Sequence, residues 1–254
     1  NPGPSGFSNA KKKTMESAVI IGVGPDRGMG AQLCHRFAAA GLHVLVAGRT
    51  EANIEAVAEA IRSEGGEATA VVADATSEQQ TNQLFERAAA VGRINLAIFN
   101  AGNNTPGRID EMTAEYFENS WRICCFGGFL FGREAVNRMK VNGGGTVLFT
   151  GASASLRGRP TFGAFNSSKA ALRAFAQALA KEYGPEGIHV AHIVIDGAIN
   201  GEKVNAKYPE FAEKLGEDGM LNIEAIVDAY EYLWRQPARG WTFEVDVRTA
   251  IENW

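Results

Sequence analysis

The sequence predicts an α/β fold: a doubly wound sheet of parallel strands with helices on both faces. Two observations carry this expectation. Short β-branched or apolar runs alternate with segments whose apolar residues recur at helical spacing, the pattern of repeated strand–helix units. The chemically distinctive residues fall just beyond those runs, at the carboxyl ends of the strands, where such sheets bind ligands. With 254 residues, 45% hydrophobic and 21% charged, the chain is long enough to fold as one large α/β domain.

Residues 1 to about 16 are rich in Gly, Pro, Ser and Lys and lack periodicity, so they are expected to be a flexible leader ahead of a single domain over 17–254. Val19 to Ile21 form the first strand, and Ala31 to Ala40 the first helix, stopped by Gly41. Leu42 to Ala47 make a second strand that ends in Gly48-Arg49-Thr50. Ile54, Val57, Ala58 and Ile61 follow at helical spacing until Gly65-Gly66. Ala68 to Ala73 read as the third strand, with Asp74 just past its end. Ser77 caps a helix bearing Leu84, Phe85 and Ala88, and Ile94 to Phe99 form a fourth strand that runs into Asn100-Ala101-Gly102.

Thr113 caps a helix carrying Tyr116, Phe117, Trp121, Phe126, Phe129 and Phe131, whose aromatic density suits a core or a subunit interface better than a ligand box. Gly143 to Gly145 turn into a strand over Thr146 to Phe149. A glycine- and serine-rich loop then precedes a helix from Ala164 to Tyr183. Ile188 to Ile195 make the sixth strand, where His189 and His192 are expected as packed or hydrogen-bonded residues. Asp196 to Met220 form a longer connection, Ile223 to Arg235 a helix, and Thr242 to Val247 the last strand.

Composition narrows the function. A net charge of −4 supplies no basic field, so nucleic acid is not expected as the principal partner, and Lys11 to Lys13 read as a solvated tail. No stretch approaches the roughly 18 apolar residues of a membrane span, and the amino-terminal residues lack the apolar core of a signal peptide, which points to the cytoplasm. Cys34, Cys124 and Cys125 lack metal-ligand spacing and are odd in number, so they are expected as buried reduced thiols.

Gly22, Gly24, Gly28 and Gly30 lie between the first strand and the first helix. Such a turn directs unpaired N–H groups and the positive end of a helix dipole at one spot, and the missing Cβ atoms let a phosphate approach. The glycine spacing Gly24-xxx-Gly28-x-Gly30, with Asp74, Asn100-Ala101-Gly102 and Lys169 following in order, resembles the short-chain dehydrogenase/reductase family from about Ser17 to the carboxyl terminus. A generic GxGxxG starting at Gly22 would require glycine where Arg27 stands. The resemblance implies a Rossmann-type sheet of about seven parallel strands, a nicotinamide cofactor, a small-molecule substrate and a homotetramer or homodimer. It also implies that Gly24, Gly28 and Gly30, with Met29 between them, wrap the pyrophosphate. Asp74 would meet the adenine, Asn100, Ala101 and Gly102 would line the adenosine ribose, and Lys169 would hold the nicotinamide ribose.

An NAD site usually carries an acidic residue after the second strand to accept from the ribose 2′-hydroxyl, whereas a 2′-phosphate needs cations. Arg49 occupies that place and Arg27 lies in the glycine turn, so the two guanidinium groups favour NADP(H) over NAD(H).

The positions that the resemblance makes catalytic are altered. Phe165 stands four residues before Lys169 where the family has its acid/base tyrosine. Ala152 takes the serine position and Cys124 the asparagine position, and Asp196 replaces the proline before Gly197. Phenylalanine has no proton to donate, and general acid catalysis is worth about 10²- to 10⁴-fold. Substitutes for the proton step are Ser153, beside the vacated serine position, Asp196 at the end of the sixth strand, and Tyr208 in the connection. Asn103 and Asn104 are weaker candidates. Asp196 is also expected to hydrogen-bond loop backbone. Two readings result: an NADP(H)-dependent oxidoreductase of a small carbonyl or alcohol with a non-standard proton donor, or a catalytically silent NADP(H)-binding sensor or partner subunit.

Overall fold

The structure, a computed structural model, describes residues 15–201 and 208–253. Its centre is a seven-stranded sheet in the order β3-β2-β1-β4-β5-β6-β9, with every neighbouring pair parallel. The strands are β1 (Glu16–Ile21), β2 (His43–Gly48), β3 (Ala68–Val72), β4 (Arg93–Phe99), β5 (Gly145–Thr150), β6 (Ile188–Asp196) and β9 (Glu244–Arg248). Between them run α1 (Met29–Ala39), α2 (Glu51–Ser63), α3 (Glu78–Val91), α4 (Ala114–Trp121), α5 (Gly127–Met139) and α6 (Gly163–Tyr183). The connection after β6 holds a two-residue pair, β7 (Ala198–Ile199) with β8 (Met220–Leu221), and the helix α7 (Pro209–Leu215). The helix α8 (Ile223–Trp234) then leads to β9.

Helices cover both faces, which is why the central strands read as unbroken apolar runs rather than as alternating ones. Ala18 and Ile20 of β1 face a core shared with Leu33 and Phe37 of α1, Ile54 of α2 and Tyr230 of α8. Val19 and Ile21 face the opposite core, with Phe85 of α3, Phe131 of α5 and Leu172 of α6. Each such side chain contributes roughly 1.5–3 kcal/mol by leaving water, so the two layers hold the sheet as a rigid platform. The edge strand β9 carries Glu244, Asp246 and Arg248, charges that blunt further strand pairing. The chain order reverses between β1 and β4, and the crevice above their carboxyl ends is where an open sheet binds its ligand.

The predicted strand and helix order is found, with instructive differences. Glu16 belongs to β1 rather than to a leader, because its carboxylate accepts from Arg93 and Asn95 of β4. Met15, just ahead of it, accepts from the Arg93 N–H at 3.0 Å, and residues 1–14 of the expected leader lie outside the described residues. Thr113 and Ser77 do cap α4 and α3, accepting from the N–H groups of Tyr116 and Gln80. The aromatic helix is interrupted, however, by a π-turn over Arg122–Phe126. Phe131 is in the core, whereas Phe117, Trp121 and Phe129 remain exposed. Cys34 and Cys124 are buried free thiols as expected, while Cys125 is only half-buried.

Candidate functional site

The turn after β1 is shaped by where backbone must approach backbone. Gly22 has φ +89°, and a Cβ there would lie 2.5 Å from the carbonyl carbon of Asn100. A Cβ on Gly48 would lie 2.4 Å from the Val23 carbonyl oxygen, and one on Gly30 would lie 3.0 Å from that of Gly22. These glycines let β1, β2, β4 and α1 converge. Gly28 is restricted more mildly, at 3.0 Å from the Pro25 oxygen. Gly24 differs from all of these, since nothing lies within 4 Å of the place its Cβ would take. Its missing side chain is therefore not a packing requirement; it leaves room above the turn.

The turn leads into the start of α1. Gly28 caps the helix without a side-chain acceptor, and the first turn holds no acidic residue, so the amide donors and the positive helix end face outward. The neighbouring carboxylate is turned away: Asp26 Oδ1 lies 3.0 Å from His35 Nε2, whose Nδ1 lies 3.0 Å from Glu64. Burial opposes charge on His35, but the hydrogen bonds and charges of Asp26 and Glu64 outweigh it and raise its pKa. The Asp26 carbonyl accepts from Gln32 Nε2 at 2.9 Å, fixing the turn onto α1. Arg27, within the turn, and Arg49, directly after β2, are exposed, and neither joins an ion pair among the described residues.

Beside the turn is a cleft of about 100 Å³ walled by Gly22, Arg49, Asp74, Ala101, Gly102 and Ile123. Asp74 is oriented by Thr76, whose N–H and Oγ1 donate to Oδ1 at 2.8 and 2.9 Å. The Asn100 N–H donates to the Ile21 oxygen at 3.0 Å, so Asn100 extends the β1–β4 pairing and places Ala101 and Gly102 on the wall. The π-turn puts Ile123 on the same wall and buries Cys124 beneath it. An open-topped glycine turn, an uncapped helix start, a narrow cleft and two free-standing guanidiniums fit a dinucleotide with its phosphates at α1.

Lys169 closes the other end. It is only 4% exposed, Nζ donates to the Thr150 oxygen at 2.8 Å, and a Cβ on Gly102 would be 3.5 Å from it. Burial lowers its pKa, with Cys124 acting weakly in the opposite sense. Its ammonium lies 5.9 Å from the centre of the Phe165 ring. Glycine turn, Asn100 to Gly102, and Lys169 are therefore brought together as the sequence led us to expect.

The substitute proton donors are placed less uniformly. Ser153 is half-buried at the start of a short helical turn over Ser153–Ser155, whereas Ser155 is buried and accepts from the Ala152 N–H at 3.2 Å. Asp196, 1% exposed, was expected to bind loop backbone; among the described residues its hydrogen bonds come from a side chain instead. Arg157 Nη2 donates to both its oxygens, at 2.8 and 3.1 Å, and Arg248 Nη2 lies 3.5 Å away. A buried carboxylate needs such a partner, and two guanidiniums supply it. Asn166 holds the Arg157 loop in place, its amide donating to the Arg157 oxygen at 2.6 Å and its Oδ1 accepting from the Arg159 N–H at 3.0 Å. Tyr208 is 39% exposed at the start of α7, next to residues 202–207 outside the described set. Asn103 accepts from Thr105 at 3.3 Å, and Asn104 is exposed. His189 and His192 have structural contacts, to the Thr242 oxygen at 2.9 Å and to Glu244 at 2.9 Å.

The sequence reading did not single out Gly48, Thr150, Ile123 or Arg157. Gly48 did carry a signal, a glycine closing a strand; Arg157 carried none, since its partner is 39 residues away.

Residues 18–208 match the family model described as short chain dehydrogenase. An uncharacterized oxidoreductase of Bacillus subtilis, YuxG, is 34% identical over 73% of this chain, although the match spans only 28% of that longer protein. An NADPH-dependent aldehyde reductase-like chloroplastic protein of Arabidopsis thaliana is 30% identical, over 79% of each chain. The crystal structure of a short-chain dehydrogenase from Rhodopseudomonas palustris superposes with a TM-score of 0.79 at 33% identity, covering 92% of this chain and 98% of that one. The chain belongs to the short-chain dehydrogenase family.

Proposed function

We propose that the chain is an NADP(H)-dependent oxidoreductase that acts on a small carbonyl or alcohol and uses a non-standard proton donor. The observation that carries this reading is the pairing of an open glycine turn at α1, which contains Arg27, with an exposed Arg49 rather than a carboxylate directly after β2. Gly24, Gly28, Met29 and Gly30 would hold the pyrophosphate. Arg27 and Arg49 would hold the 2′-phosphate, with Asp74 at the adenine and Asn100, Ala101 and Gly102 along the adenosine ribose. The Arabidopsis relative, described as NADPH-dependent and aldehyde reductase-like, supports the cofactor and the substrate class.

When bound, the nicotinamide supplies the hydride. Lys169 holds the adjoining ribose from its anchored position on Thr150. Phe165 shields the site without offering a proton. Ser153 is the nearest of the proposed donors in sequence to the vacated serine position. Tyr208 would reach the site only from the connection, and Asp196 acts only if its carboxylate leaves Arg157.

A second reading, an NADP(H)-binding sensor or partner subunit without turnover, is favoured by that same Asp196–Arg157 lock and by the Phe165 ring beside Lys169. The exposed aromatics Phe117, Trp121 and Phe129 support homodimer or homotetramer contacts through α4 and α5. Fluorescence titration with NADPH followed by a carbonyl and alcohol turnover screen tests both readings. Measurable wild-type turnover is expected. Tight NADPH binding without turnover, with activity appearing in the Phe165→Tyr, Ala152→Ser double variant by about 10²-fold or more, would instead establish the silent reading.

A further inference from the structure

The buried hydroxyl of Tyr230 is linked to the glycine turn by hydrogen bonds whose direction can be assigned. The Gly22 oxygen is an acceptor only, so the group of Asn100 that faces it at 3.2 Å is the amide Nδ2, and Oδ1 therefore faces Thr150. Thr150 Oγ1 donates its single proton to that Oδ1 at 3.0 Å. Tyr230, 2.6 Å from Thr150 Oγ1, must then be the donor to it. Tyr230 is fully buried, and burial raises the pKa of its phenol, so the hydroxyl keeps its proton. The order is Tyr230 to Thr150 to Asn100 to Gly22, with each donor reinforcing the next.

The far end of this chain lies beneath the turn. A Cβ on Gly30 would meet both the Gly22 oxygen, at 3.0 Å, and Asn100 Nδ2, at 3.1 Å. Thr150 also anchors Lys169 through its backbone oxygen. One residue at the end of β5 thus serves the α1 end of the cleft through its side chain and the Lys169 end through its main chain. The helix that bears Tyr230 also grips α1: Arg36 of α1 pairs with Asp228 at 2.7 Å and Glu231 at 2.6 Å of α8.

We propose that Tyr230, on α8, is a positioning residue for the dinucleotide, setting the Gly22 turn and the Lys169 anchor through Thr150. This rests on the proposed cofactor reading and goes beyond it, since the Tyr230 hydroxyl, among the described residues, hydrogen-bonds Thr150 and not a residue proposed to face the cofactor. The phenyl ring of a Tyr230→Phe variant keeps the packing and removes only the first donor.

The test is NADPH fluorescence titration of the wild type and four variants, with thermal melts alongside. Tyr230→Phe is expected to weaken NADPH by about fivefold, as loss of one buried neutral hydrogen bond implies, and Thr150→Val, which removes both the Tyr230 and the Asn100 links, by at least as much. The double variant should be no weaker than Thr150→Val alone, because the chain is already broken, and Thr150→Ser should restore near-native affinity. A Tyr230→Phe variant that melts lower yet binds NADPH as the wild type does would overturn the proposal, as would losses that multiply in the double variant. Failure of the wild type itself to bind NADPH would instead remove the cofactor reading beneath it, so the two failures are told apart.

Discussion

Gly22 and Gly24 lie two residues apart in one turn, and alanine at each should do opposite things. Gly22→Ala puts a methyl 2.5, 2.6 and 2.7 Å from backbone atoms of Asn100 and Ala101, none of which can swing aside, and it does so at φ +89°. The left-handed conformation costs roughly 1–2 kcal/mol, and forcing β4 away from β1 adds about 1–3 kcal/mol. Together these amount to about 2–5 kcal/mol. For a chain of this length each kcal/mol moves Tm by about 2–4 °C, so melting should fall by between about 4 and 20 °C. At Gly24 the new methyl meets nothing within 4 Å. Stability should stay within about 0.5 kcal/mol of the wild type, a Tm change of no more than about 2 °C. That methyl nevertheless fills the space above the turn, and NADPH affinity should fall tenfold or more. Thermal melts and NADPH titrations on both variants give the comparison. If Gly24→Ala binds NADPH with native affinity, the pyrophosphate does not sit on this turn and the reasoning from its open space is wrong.

Two further outcomes follow from the buried charges. Arg157→Met leaves Asp196, 1% exposed, with Arg248 at 3.5 Å as its one cation among the described residues, and should cost about 3 kcal/mol in urea unfolding. Adding Asp196→Asn should recover part of that loss, and no recovery would mean that Arg157 acts by packing instead. His192 is held neutral in the fold, its pKa lowered to about 4 by burial, with Lys169 and Arg173 of α6 assisting and Glu244 of β9 opposing. Its folded pKa lies below the unfolded value, so its contribution is present above about pH 6.5 and is lost as pH falls toward 4. Tm measured from pH 8 to pH 4 should drop across that window, and His192→Asn should flatten the drop.

Local chemistry made much of the fold, and the gathering of the residues proposed to hold a dinucleotide, readable in advance. Ser77 and Thr113 cap helices because their side chains accept from N–H groups three residues on, an interaction written within a few adjacent residues. The glycine turn, Asn100-Ala101-Gly102 and Lys169 were legible for a related reason: each sits at the end of a recognisable element, and the sheet gathers those ends. The opposite end depends on pairings between distant residues. Asp196 finds Arg157 across 39 residues, and Thr150 finds Tyr230 across 80. Neither residue type announces its partner. The π-turn was hidden because its five residues, Arg122 to Phe126, include no glycine or proline to mark a break in the helix. Gly22 was visible as a glycine, yet its role against Asn100 exists only where β1 and β4 lie side by side.

The preference for NADP(H) is the central claim, and Arg49 tests it most directly. The measurement is a parallel titration of the wild type and Arg49→Asp with NADPH and NADH. Wild-type protein should bind NADPH at least tenfold more tightly than NADH, and Arg49→Asp should weaken NADPH far more than NADH, since an acidic side chain directly after β2 repels a 2′-phosphate and can accept from a 2′-hydroxyl. Equal affinity of the wild type for both nucleotides, or equal losses in the variant, would contradict the assignment of Arg49 to the 2′-phosphate.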